Sequence, residues 1–144
     1  MKINPPMKAL VVDDDPDVLF LMTRILQRRG YDVVTYNDPA QSPLHQCKTC
    51  PCSMHDSRCP DLMIVDYKMP VVNGAELLES HAKKGCRCRY LALMSGAGIP
   101  HLDLKRLAKY GTRYFSKPLD FNYFYAWIDC VEQDIADTRN MLSC

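Results

Sequence analysis

The chain lacks most of the features that would assign it to a class at once. No apolar run approaches the roughly 18 residues of a membrane-spanning helix. A formal net charge of +1 over 144 residues gives no electrostatic basis for holding nucleic acid or an anionic lipid surface. Lys2 precedes an apolar stretch, but Asp13 interrupts it and no small-residue cleavage site follows, so no signal peptide is read and a cytoplasmic location is expected. There is no internal repeat, no low-complexity linker and, beyond Pro118, nothing that resembles a helix-turn-helix or an enzyme domain. What the chain does have is a 47% hydrophobic and 24% charged balance, ordinary for one folded domain spanning 1–144. It also has eight cysteines. Without an export signal these point to metal binding or reduced thiols rather than disulfides.

The organising stretch is Leu62-Met63-Ile64-Val65-Asp66-Tyr67-Lys68-Met69-Pro70. Its apolar run reads as a buried strand that delivers one carboxylate at its end; Pro70 and Asn73-Gly74 then turn the chain. Around it the pattern alternates. Lys8–Val12, Tyr31–Tyr36, Arg89–Ser95 and Thr112–Ser116 read as further strands. A first helix starts at Pro16 behind the cap Asp15, carries Val18, Met22, Ile25 and Arg29 on one face widened by Leu19 and Leu26, and stops at Gly30. Helices follow over Ala75–Lys84, from Pro100 to Gly111, and after Asp120 with the stripe Phe124, Ile128, Val131 and Ile135. Five βα units predict a doubly wound α/β fold of the flavodoxin type, a parallel sheet in the order 2-1-3-4-5.

That order makes strands one and three neighbours and brings Asp13, Asp14 and Asp66 to one crevice. Two such charges about 4 Å apart repel by roughly 4 kcal/mol at an effective dielectric of 20. A hard cation, Mg²⁺ or Mn²⁺, is the natural counterweight. Strand four ends in Ser95 and strand five beside Lys117. A metal, a hydroxyl and an ammonium around one carboxylate suit a phosphoryl group in transfer.

The set Val11-Val12-Asp13-Asp14, Val65-Asp66-Tyr67-Lys68-Met69-Pro70, Asn73-Gly74, Met94-Ser95-Gly96 and Tyr114-Phe115-Ser116-Lys117-Pro118 resembles the receiver domain of bacterial two-component response regulators. The resemblance implies that Asp66 accepts a phosphoryl group from a sensor histidine kinase or a phosphotransfer protein. Asp14 would hold Mg²⁺ directly and Asp13 through water, with the backbone carbonyl of Lys68 as a further ligand. Ser95 and Lys117 would bind the phosphoryl oxygens, Tyr114 would be the aromatic switch, and Lys117-Pro118 would be cis. Such a protein is a phosphoacceptor that catalyses its own phosphorylation and dephosphorylation, not an enzyme. Its output would be a downstream partner or self-association through the family's helix four, strand five and helix five. Tyr123, Tyr125 and Trp127 on the last helix read as extra aromatic area for that surface, or in part as cover for the sheet edge. Two other readings compete: a degenerate receiver used as a constitutive interaction or metal-binding module, and a haloacid-dehalogenase-type phosphatase. The latter usually carries a second Asp where this chain has Lys68.

Residues 39–60 depart from the resemblance. A second helix is expected there, yet Pro39, Pro43, Pro51 and Pro60 leave room for at most a short helical turn. Cys47, Cys50, Cys52 and Cys59, with His55, form a candidate soft-ligand cluster for Zn²⁺, although their spacing matches no zinc ribbon. The loops entering strands three and four lie side by side, so Cys59 and Cys86 or Cys88 could meet there. A loop of reduced thiols is the alternative.

Overall fold

The computed structural model describes residues 5–41, 50 and 59–142. Five parallel strands, β1 (Lys8–Val12), β2 (Asp32–Tyr36), β3 (Leu62–Asp66), β4 (Tyr90–Ser95) and β5 (Arg113–Ser116), form one sheet in the order β2-β1-β3-β4-β5. Among the described residues the helices are α1 (Pro16–Arg28), α2 (Gly74–Lys83), α3 (His101–Ala108) and α4 (Phe121–Leu142). Between β2 and β3 the described residues form a single 3-10 turn, Pro39–Gln41. The expected flavodoxin-like architecture is present, strand for strand.

Period-two alternation divides the core between the two faces of the sheet. Ala9, Val11, Leu62, Ile64, Ala92, Met94 and Phe115 point toward α1 and α4. Leu10, Val12, Met63, Val65, Leu91 and Leu93 point toward α2 and α3. β3 sits in the middle and is buried along its whole length, whereas the edge strand β2 is largely exposed. Each fully buried aliphatic side chain contributes about 1.5–3 kcal/mol relative to exposure, so β3 is the strand the sheet can least lose.

α1 begins as its sequence requires. Asp15 caps it by accepting from the Asp17 amide, Pro16 takes the first turn, and Gly30 leaves it at φ +90°. Its buried stripe is centred on Leu19, Met22 and Leu26, with Val18 and Ile25 half-buried beside it, a small rotation from the expected face. At its end the Arg29 guanidinium forks onto both carboxylate oxygens of Glu132 at 2.9 Å and also pairs with Asp129, tying α1 to α4.

Trp127 covers the sheet rather than adding to an exposed surface. It is buried, with its ring 5.4 Å from that of Phe115 and 6.1 Å from that of Phe124. α4 rolls a wide face onto the sheet, and a residue three beyond Phe124 falls inside that face. Tyr123 remains exposed on the adjoining rim.

Two positions make the packing testable. A Cβ on Gly74 would stand 2.3 Å from the Asp66 carbonyl oxygen and 2.6 Å from Leu93 Cδ1. We expect Gly74→Ala to cost about 1–3 kcal/mol in chemical denaturation, the range for overpacking. His81, on the buried side of α2, has no hydrogen-bond partner for either ring nitrogen among the described residues, and burial lowers its pKa from 6.5 to about 4. A histidine held neutral in the fold contributes stability that is complete above the unfolded pKa. That stability is lost as pH falls from 6.5 toward about 4. Wild type should therefore lose about 3 kcal/mol more than His81→Leu across that window in pH-dependent urea unfolding.

Candidate functional site

The C-terminal ends of the strands, where ligands of open α/β sheets bind, collect the carboxylates. Asp13 follows β1 and is fully buried, Asp14 beside it is exposed, and Asp66 ends β3 with 5% exposure. One carboxylate oxygen from each lies within 4.8 Å of the others. Lys117, just past β5, reaches over them: its Nζ stands 2.8 Å from Asp13 Oδ2 and 3.1 Å from Asp66 Oδ1. The Lys117–Pro118 peptide is cis.

Backbone bonds hold this geometry. The Asp13 amide donates to the Tyr36 carbonyl at 3.1 Å, the Tyr67 amide to Met94 at 2.7 Å, and the Lys117 amide to Ser95 at 2.9 Å, so the strand ends are stitched across the sheet. Asp13 Oδ1 also accepts from the Asp15 amide at 2.9 Å, which ties the site to the start of α1.

The electrostatics follow from burial. Desolvation raises the Asp66 carboxyl above its ordinary value; the Lys117 hydrogen bond opposes this, and Asp13 and Asp14 add repulsion. Burial also works against the Lys117 ammonium, but its bonds to Asp13 and Asp66 outweigh that, so it is held charged. Three hard oxygen donors whose charge one lysine does not balance fit Mg²⁺ or Mn²⁺.

Ser95 is buried at the end of β4 with its hydroxyl turned into its own loop, donating to the Ala97 carbonyl and accepting from the Ala97 amide at 3.2 Å. Tyr114 on β5 is half-buried, and its hydroxyl donates to the Leu104 carbonyl of α3 at 3.1 Å. Lys68 has an exposed side chain and comes two residues after Asp66. The fold thus brings Lys117 into contact with Asp13 and Asp66 and gathers Asp14 beside them, with Ser95 and Tyr114 in the adjoining strand ends.

Three features of this end escaped the sequence reading. Gly74 carries no side chain because α2 starts against the backbone of Asp66. The Tyr67 hydroxyl donates to Asp103 Oδ2 at 2.6 Å, linking the residue after Asp66 to α3. Val71, exposed in the same loop, is held at φ +71°, a strained conformation for a β-branched residue. Only Asn73-Gly74 left a sequence signal, and that signal said turn rather than close approach.

The candidate cysteine cluster is recast. Cys47, Cys52 and His55 lie outside the described residues. Cys50 and Cys59 do meet, with their sulfurs 3.7 Å apart, and Cys86 rather than Cys88 joins them. Cys88 instead turns its thiol to the Tyr90 carbonyl.

Among known proteins, the family model described as the response regulator receiver domain matches residues 9–129. The DNA-binding response regulator MtrA of Mycolicibacterium smegmatis is 30% identical over 98 residues, 68% of this chain and 35% of that protein. The alkaline phosphatase synthesis transcriptional regulatory protein PhoP of Bacillus subtilis is 34% identical over 70 residues, 49% of this chain and 25% of that protein. The match therefore spans only 25% to 35% of the length of these two relatives. The N-terminal domain of an uncharacterized protein from Wolinella succinogenes superposes with a TM-score of 0.73 at 20% identity, covering 92% of this chain and 98% of that one, a likeness of fold. With the strand-end motifs, the sheet order and a family match over most of its length, the chain belongs to the response regulator receiver domain family of two-component signalling.

Proposed function

We propose that the chain is a phosphorylation-dependent switch in which Asp66 takes a phosphoryl group from the phosphohistidine of a sensor histidine kinase or phosphotransfer protein. The observation that carries this reading is the meeting of Asp13, Asp14 and Asp66 within 4.8 Å beneath the Lys117 ammonium. An Asp66 carboxylate oxygen bonds to phosphorus as the P–N bond breaks, and the imidazole leaves. Asp13, Asp14, Asp66 and the Lys68 carbonyl would hold Mg²⁺ or Mn²⁺, which would supply charge neutralisation at the phosphoryl oxygens. Lys117 exchanges its carboxylate partners for a phosphoryl oxygen. Ser95 gives up its hold on Ala97 to donate to another. That shift draws in the 95–97 loop and releases Tyr114 from Leu104, which changes the surface of α3, β5 and α4, the family's helix four, strand five and helix five. A downstream partner or a second copy reads that surface. Water then attacks phosphorus, the bond to the Asp66 oxygen breaks, and inorganic phosphate leaves, so the chain is a substrate that assists its own turnover rather than an enzyme acting on others. A cytoplasmic location fits such a partnership.

Incubation with acetyl phosphate and Mg²⁺ should add one phosphoryl group by intact mass, and Asp66→Asn or chelation of Mg²⁺ should abolish it. An adduct that persists in Asp66→Asn would overturn the assignment. A stability test accompanies it. A carboxyl with its folded pKa raised costs stability once ionised, and the cost is relieved as pH falls through the folded value. At neutral pH without Mg²⁺, Asp66→Asn should therefore raise Tm by a few degrees in scanning calorimetry. Added Mg²⁺ should raise the Tm of wild type more than that of the variant.

A further inference from the structure

We propose that Cys50, Cys59 and Cys86 hold one structural zinc ion at the N-terminal ends of β3 and β4. The proposal does not depend on phosphorylation at Asp66. Along β3 the four-residue step from Leu62 to Asp66 spans about 13 Å, so the two sites lie at opposite ends of one strand.

The sulfur spacing fits one face of a tetrahedral metal site. Zinc holds thiolate sulfurs at about 2.3 Å, and two such bonds at the tetrahedral angle set the sulfurs about 3.8 Å apart. Cys50 Sγ and Cys59 Sγ are separated by 3.7 Å, and Cys86 Sγ lies within 4.8 Å of both. Sulfurs this close are too tightly gathered to embrace a multi-iron cluster. An all-thiolate set selects a soft or borderline ion over Mg²⁺ or Ca²⁺. The described cysteines form no disulfide.

Each ligand is also held in place from behind. The Cys50 amide donates to the Lys84 carbonyl at 2.9 Å, just past the end of α2. The Cys86 amide donates to the His81 carbonyl at 3.1 Å, in the turn opened by Gly85 at φ +86°. Cys59 is carried two residues before Asp61, which is locked to Lys8 through both its amide and its carboxylate at 2.8 Å. The Arg87 amide donates to Cys59 Sγ at 3.3 Å, the kind of outer hydrogen bond that orients and tunes a metal-bound thiolate. Three thiolates on a divalent ion leave one negative charge. Lys84 and Arg87, within two residues of Cys86, bring positive charge to the same turn. Binding would release the thiol protons to solvent and would staple residue 50 to the sheet. The binding energy thus becomes local folding energy where the fold has only one described helical turn between β2 and β3. The fourth position of the tetrahedron is read by the experiment.

The test uses the full chain without a metal-affinity tag. Elemental analysis of freshly purified protein should find close to one zinc per chain. Cys59→Ser and Cys86→Ser should each weaken zinc affinity at least about tenfold in competition with a chromogenic chelator. Cys130→Ser, on the exposed face of α4, should leave it unchanged. Because those variants could fail to fold, a second measurement stands on wild type alone. Replacement of zinc by Co²⁺ should give a thiolate-to-metal charge-transfer band, and zinc absorption fine structure should show at least three sulfurs at about 2.3 Å. Zinc below about a tenth of an equivalent, a different resident metal, a cobalt form lacking that band, or a Cys50–Cys59 disulfide in fresh protein would overturn the proposal.

Discussion

Everything at the working end of this molecule answers to one electrostatic constraint. Asp13 and Asp66 are carried out of water by the neighbouring inner strands β1 and β3, and Asp14 stands beside them. Like charges in that setting repel by several kcal/mol unless a cation intervenes. The Lys117 ammonium is that cation in the structure, bridging the two buried carboxylates from the end of β5. A lysine bridge is easily exchanged. Its partners are monodentate, and a phosphoryl oxygen with a divalent ion offers the same charge pattern at higher strength. The carboxylates and the lysine are therefore held in electrostatic tension, the condition that the proposed switch needs.

The sheet converts that tension into position. Parallel strands end together on one side, and the stitched amides of Asp13, Tyr67 and Lys117 leave the carboxylates little room to relax apart. Burial of β3 on both faces makes the position of Asp66 as firm as the core itself. Links lead outward to α3 from either side of the site, through Tyr67 to Asp103 and through Tyr114 to Leu104. A change at the carboxylates thus has two side-chain routes to one helix, each a hydrogen bond that is either made or broken.

The opposite end of the strands solves a different problem. A receiver covers its sheet with helices on both faces, and here the stretch after β2 is rich in proline and cysteine. Cys50 is brought against the end of α2, and its sulfur meets those of Cys59 and Cys86. The carboxylate site and the proposed metal anchor are thereby separated by the length of a strand. Loops at one end can be remodelled without disturbing the carboxylates at the other.

Sequence alone determined the features that are local or strictly periodic. The apolar runs set the strands, Asp15-Pro16 set the start of α1, and carboxylates directly after β1 and within β3 had to converge once the sheet order was known. Tertiary structure decided what depends on the angle at which one element meets another. Trp127 was buried, not displayed, because α4 rolls a broad face onto Phe115, and helical spacing does not fix how wide the contact is. Gly74 was a turn residue in the sequence and a close-packing residue in the fold, since its neighbour is the Asp66 backbone across the loop. Cys86 joined Cys50 and Cys59 in place of Cys88 for a similar reason. The two thiols are two residues apart in the same turn, and only the path of the chain out of Gly85 chooses which one faces the cluster.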